Sequence, residues 1–185
     1  MSAGVALGVF FALGWALFYV FRAESHHASL PFYSGTERVW VQLAPAIVSL
    51  HVTAACVTIT RTPVIPAASG LLAVAVFVMA IAFWFWGRMM IGPLRVRYLP
   101  QQPPRRFRVD GAFGVVRHPL YLGYLLAAAA PLLVARRVFL LATLALTFVG
   151  LAMRAVQEER RLQTWLGPSY EAYCRSVKRL IPFVW

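Results

Sequence analysis

The sequence predicts an all-α integral membrane protein of about five transmembrane helices, and three observations carry that expectation. Hydrophobic residues make up 61% of the 185 residues and charged residues 13%, a balance that excludes an ordinary water-soluble globule. Several windows of about 20 residues hold no charge, the length at which a helix rising ~1.5 Å per residue crosses ~30 Å of hydrocarbon. The basic residues are gathered into a few connecting segments, as membrane topology demands. The length suits a single domain, 1–185, in which 1–86 supplies membrane spans and 87–185 holds the candidate chemistry.

The first apolar run, 2–21, has no basic residue ahead of it and is longer than a signal-peptide core, so it reads as a retained span. The polar connection 22–38 contains His26, His27, Pro31 and Gly35. Its two histidines lack partners at ligand spacing and read as loop residues. A second span, 39–59, carries His51 at its middle, in 49-SLHVTAAC-56. An ionisable group in lipid is a functional candidate by default, but a neutral imidazole bonded to a neighbouring carbonyl or to Thr53 is the plainer expectation. The turn 60-TRTPVIP-66 leads into a third span, 67–86, which ends in 83-FWFW-86. That aromatic cluster reads as an interfacial belt, or as the lining of an acceptor entrance.

Beyond the loop 87–119, a tight pair of spans is expected at 120–135 and 138–154. The fourth is short, roughly 22 Å of helix against a ~30 Å core, and Pro131 lies inside it. This C-terminal hairpin is therefore expected to tilt or to cross incompletely. Cys56 and Cys174 form no disulfide framework and no zinc spacing, and no metal is expected.

Charge sets the orientation. The chain has 18 basic residues against 6 acidic, and 17 of the 18 are arginine. Loop 87–119 holds seven of them: Arg88, Arg95, Arg97, Arg105, Arg106, Arg108 and Arg117. With six from Arg154 onward and two in loop 22–38, one face collects fifteen; the other has Arg61, Arg136 and Arg137. The crowded face is expected in the cytoplasm, with the N-terminus outside and the C-terminus inside. Basic excess can signal nucleic acid, but beside apolar spans it reads as attraction to anionic lipid, so the bilayer is the expected partner and nucleic acid is not. A transporter is disfavoured because the spans carry no paired intramembrane charges.

The candidate chemistry lies in 111-GAFGVVRHPLYLGY-124. Pro119 suits the first position of a helix, which would leave the N–H groups of Leu120, Tyr121 and Leu122 free to meet carboxylate or phosphate. Arg117 and His118 stand directly before it, and Gly111, Gly114 and Gly123 permit close backbone approach. This is an anion-recognition site, or alternatively a basic flank anchoring a helix in lipid. Two of the six acids are adjacent in 154-RAVQEERRLQ-163, where Arg154 and Glu158 at i, i+4 would support a helix leaving the membrane. Glu158 and Glu159 facing the Arg–His helix start could hold a molecule with both charges, such as an amino acid joined to a nucleoside.

The order GAFGVVRHPLYLGY, a hairpin, R-x-x-x-E-E and LGPSYEAYCRSVKRLIPF resembles the C-terminal core of the isoprenylcysteine carboxyl methyltransferase family, with its phospholipid N-methyltransferase and small-thiol methyltransferase relatives. It covers about residues 85–183. The resemblance implies a methyltransferase dependent on S-adenosylmethionine, with a cytoplasmic pocket formed by loop 87–119 and the tail. A lipophilic or small acceptor would enter from the bilayer: an isoprenylcysteine-like carboxylate, a phospholipid amine or a thiol. Arg117, His118, Pro119, Tyr121, Gly123, Glu158 and Glu159 match the family's cofactor-binding positions, and Arg154 matches an arginine near the acceptor. Arg117 and the helix start are expected at the methionyl carboxylate, and the glutamates at the ammonium or ribose. Glu158 is a candidate base for an amine acceptor. Phe113 stands where tyrosine is common, removing a hydroxyl. The sterol-reductase-like alternative would use NADPH and needs more spans than this chain supplies; a non-catalytic accessory protein is the alternative of another class.

Overall fold

A computed structural model describes residues 2–26, 35–91 and 108–184. Its helices are α1 (Ala3–His26), α2 (Gly35–Thr60), α3 (Ala67–Ile91), α4 (Ala112–Val115), α5 (Pro119–Ala129), α6 (Val138–Leu166) and α7 (Pro168–Ser176). A 3₁₀ turn, Ala130–Leu133, continues α5. No strand occurs among the described residues. The all-α membrane architecture is as expected. Among the described residues, three helices are long and apolar enough to cross a bilayer, over Leu43–Thr60, Ala67–Met90 and Val138–Leu166, and two shorter apolar stretches accompany them, Ala3–Ala16 and Pro119–Leu133.

Small residues let the helices approach. A Cβ on Gly4 would lie 2.6 Å from the Ile59 carbonyl, so α1 rests directly on the end of α2. Gly123 does the same for α5 on α3, where a Cβ would meet Trp84 Cβ at 2.7 Å, and Gly150 brings α6 against Ala44 of α2. Between them the core fills with Phe11, Trp15, Ile59, Phe77, Trp84 and Leu140. Phe11 and Phe77 meet edge to face at 4.9 Å, the geometry favoured by the ring quadrupole. Outward, Leu13, Leu50, Leu71, Met79 and Leu141 are exposed. In water such a girdle would be a liability, and in lipid it is solvated.

One expectation holds and four change. The third span does not stop at 86 but runs to Ile91, so Arg88 lies on α3 and the loop expected at 87–119 begins only after it. The fourth segment runs over Pro119–Leu133. With eleven α-helical residues and a four-residue 3₁₀ turn, it spans about 24 Å, still short of the ~30 Å core. Helix α6 does not stop at 154 but continues to Leu166, 29 residues in all, or about 43 Å, longer than the ~30 Å hydrocarbon core. The connection 22–38 is narrower, since α1 reaches His26 and α2 begins at Gly35. Trp84 of the FWFW cluster is buried against Gly123, whereas Phe85 and Trp86 are exposed and remain available as a belt. His27, Pro31, Arg95, Arg97, Arg105 and Arg106 lie outside the described residues.

His51 is bonded as a structural residue would be, but to other helices. Its Nε2 lies 2.8 Å from the Ala128 carbonyl and its Nδ1 2.8 Å from Thr143 Oγ1, while Thr53 bonds to Ser49. Pro131 explains the first bond. It sits three residues after Ala128, where the 3₁₀ turn needs an N–H that proline lacks, so the imidazole supplies the donor. A neutral ring then accepts from Thr143 at Nδ1.

Candidate functional site: a buried clasp and its open face

Two backbone bonds bring the tail to the Arg–His–Pro turn. The Arg117 N–H donates to Lys178 O at 2.8 Å and the His118 N–H to Arg179 O at 3.1 Å. His118 caps α5 and Pro119 takes its first position, with Pro119 packed where Gly87 has no side chain. The N–H groups of Tyr121 and Leu122, expected to be free, both reach the His118 carbonyl at 3.1 Å. That helix start therefore offers fewer open donors than the sequence implied.

The Arg117 guanidinium turns inward. Its Nε and Nη2 donate to the two oxygens of Glu159 at 2.8 and 3.2 Å, and Nη1 donates to Cys174 O and Val177 O, both at 2.7 Å. Glu159 also accepts from Arg179 Nε and Nη2 at 2.9 and 2.8 Å, and lies 3.1 Å from His118 Nε2. Its side chain is 3% exposed. Burial pushes this carboxyl up, but hydrogen bonds from His118, Arg179 and Arg117 outweigh it and hold the pKa down at about 2. An ionised carboxylate only accepts, so His118 Nε2 carries the proton toward it.

The outer half of the cluster is open. Tyr121 lies parallel to the His118 ring, 5.3 Å between centroids. Its hydroxyl donates to Glu158 Oε2 at 2.9 Å and accepts from Arg154 Nε at 2.8 Å. The Arg154 guanidinium carbon stands 5.8 Å from the Tyr121 ring centre. His118 Nδ1 is 3.8 Å from Glu158 Oε2, and Glu158 is 48% exposed. Beneath, the Tyr173 hydroxyl donates to Phe113 O at 2.6 Å and ties α7 to the segment of α4. Burial pushes the phenols of Tyr170 and Tyr173 up, so both remain protonated, and burial likewise raises the Cys174 thiol.

Arg117, His118, Tyr121, Arg154, Glu158 and Glu159 thus form one contiguous cluster. Pro119 and Gly123 stand behind it, facing α3. Gly111 has a left-handed φ of 56°, and a side chain there would strike Met90 sulfur. Sequence reasoning did not single out Arg179, although it lies in the C-terminal RLIPF stretch. It also missed the carbonyls of Cys174 and Val177, which no side-chain pattern reveals.

No protein-family model and no solved structure matches the chain. A curated relative does: over 82 residues the chain is 39% identical to methanethiol S-methyltransferase 1 of Bradyrhizobium diazoefficiens. The match takes in 43% of this chain and 27% of the relative, so the chain covers about a quarter of that protein's length. The chain is similar, over that part, to a methyltransferase.

Proposed function

We propose that the protein is a membrane methyltransferase using S-adenosylmethionine at the rim where α5 and α6 leave the bilayer. The observation that carries this reading is the closure of the Arg117–His118 turn onto the glutamate pair of α6, 42 residues away in sequence. The donor set fits such a cofactor. An exposed carboxylate, a hydroxyl, an imidazole edge and a guanidinium converge at Glu158, Tyr121, His118 and Arg154. These groups suit ribose hydroxyls, an ammonium and a carboxylate on one molecule. When bound, the cofactor supplies a methyl group on a positively charged sulfur.

The chain's own residues divide the remaining work. Arg117, Glu159 and Arg179 act as positioning residues, since their polar atoms are turned toward one another and toward tail carbonyls. Glu158, Tyr121 and Arg154 face the ligand side. Glu158 accepts the proton that a thiol or ammonium acceptor must lose; a carboxylate acceptor loses none. The relative's printed name makes a small thiol the first acceptor to test, ahead of prenylcysteine carboxylates and phospholipid amines.

Calorimetric titration of the purified protein with S-adenosylmethionine, and separately with NADPH, tests the reading. Saturable binding of the first alone is expected. Tyr121→Phe removes the hydroxyl that joins Glu158 to Arg154 and should weaken binding about tenfold or more, with a much smaller effect on the thermal midpoint. Glu158→Gln should abolish transfer of a labelled methyl to a thiol or amine. Absence of binding to either cofactor would instead favour an accessory role.

A further inference from the structure

We propose that the segment 180–184 is an interfacial latch: its apolar turn docks into the bilayer that the same chain spans, with Arg175 and Lys178 on anionic lipid head groups. The inference goes beyond methyl transfer and does not rest on it.

Height comes first. His118 caps α5, the short apolar helix that starts at Pro119 and that the charge reading sets at the membrane rim, and its N–H is bonded to Arg179 O. Residues 178–179 therefore lie at the membrane mouth of α5. The five residues that follow can reach no farther than about 17 Å from it.

Exposure is the second observation. Leu180 is fully buried and pins the segment, yet Phe183 is 95% exposed, Val184 71% and Ile181 39%. Three outward apolar side chains within four residues make a patch that water does not favour. The backbone holds them there. Val184 N–H bonds Ile181 O at 3.2 Å, and Phe183 has a φ of 66°, a left-handed conformation unusual for a bulky residue. Residues 181–184 thus form a closed turn that presents an aromatic ring outward.

Charge selects the partner. Arg175 and Lys178 are exposed on the approach to this turn, with Glu171 the one acid on α7. An apolar tip flanked by cations is the pattern of an interfacial anchor. Each cation near an anionic leaflet multiplies the docked population about fivefold.

The test uses the full chain in lipid nanodiscs, with Val184→Cys carrying a polarity-sensitive fluorophore and Cys56→Ser and Cys174→Ser removing competing thiols. Bromine on the acyl chains should quench the label and aqueous iodide should not, with more quenching in phosphatidylglycerol discs than in phosphatidylcholine discs. Arg175→Gln and Lys178→Gln should each lower the docked-to-free ratio about fivefold in the anionic discs. Phe183→Ser should return the label to iodide at an unchanged thermal midpoint, since that ring is 95% exposed and supports no core. Iodide quenching in both lipids would overturn the proposal. So would protection that follows protein concentration in detergent, which would assign the patch to a second copy.

Discussion

Glu159 is where the clasp is most sensitive. Five donor bonds from three residues converge on one buried carboxylate. Removing its charge would strand Arg117 and Arg179, and breaking a buried pair this way costs about 3–5 kcal/mol. Glu159→Gln is therefore expected to lower the thermal midpoint by many degrees, whereas the exposed neighbour substitution Glu158→Gln should leave it nearly unchanged. Because the folded carboxyl is held at about 2 against an ordinary 4.5, its contribution is complete above the ordinary value and is lost as pH falls from 4.5 toward 2. A pH series of melting curves should show that acid-side decline in the parent and a flatter one in Glu159→Gln. The meeting of the two motifs was legible from the scarcity of acids and from the ordered pattern around RHP. Which glutamate is spent on the arginines was not, because the deciding partners include main-chain carbonyls of the tail.

At the scale of elements, the break between α5 and its 3₁₀ turn depends on a residue far away in sequence. If Pro131 leaves the Ala128 carbonyl without a donor, His51→Leu should cost about 1–3 kcal/mol through the buried orphan it creates. Restoring a peptide N–H with Pro131→Ala should shrink that penalty. A double-mutant cycle reads the coupling directly, and strict additivity would refute the explanation. The sequence flagged both His51 and Pro131 but could not pair them, since they lie on segments whose adjacency only packing fixes. The length of α6 was underestimated for a related reason. Its hydropathy falls at Arg154, while good helix formers such as Gln157, Glu158, Glu159 and Arg160 carry the hydrogen-bond ladder on.

For the whole molecule, the distribution of arginine proposes an orientation that the fold makes easy to test. The turns 61–66 and 134–137 close one end of the bundle, and the clasp lies at the other. With the orientation read from charge, a cysteine placed at Arg137 should react with an impermeant maleimide added outside intact cells. One placed at Lys178 should react only after permeabilisation. The reverse pattern would invert the topology and put the clasp outside. The long charge-free apolar runs made the membrane class and the five apolar segments legible, and mutual contacts through Gly4, Gly123 and Gly150 were hidden because glycine carries no pattern of its own.

Because α6 is one unbroken rod from Val138 to Leu166, the glutamates are indexed to the lipid-facing portion of the same helix. A single residue inserted near Met153 would swing both carboxylates about 100° around the axis and raise them ~1.5 Å. Deletions there act likewise, so change in chain length should be accommodated at the hinges such as 61–66 and never within this rod.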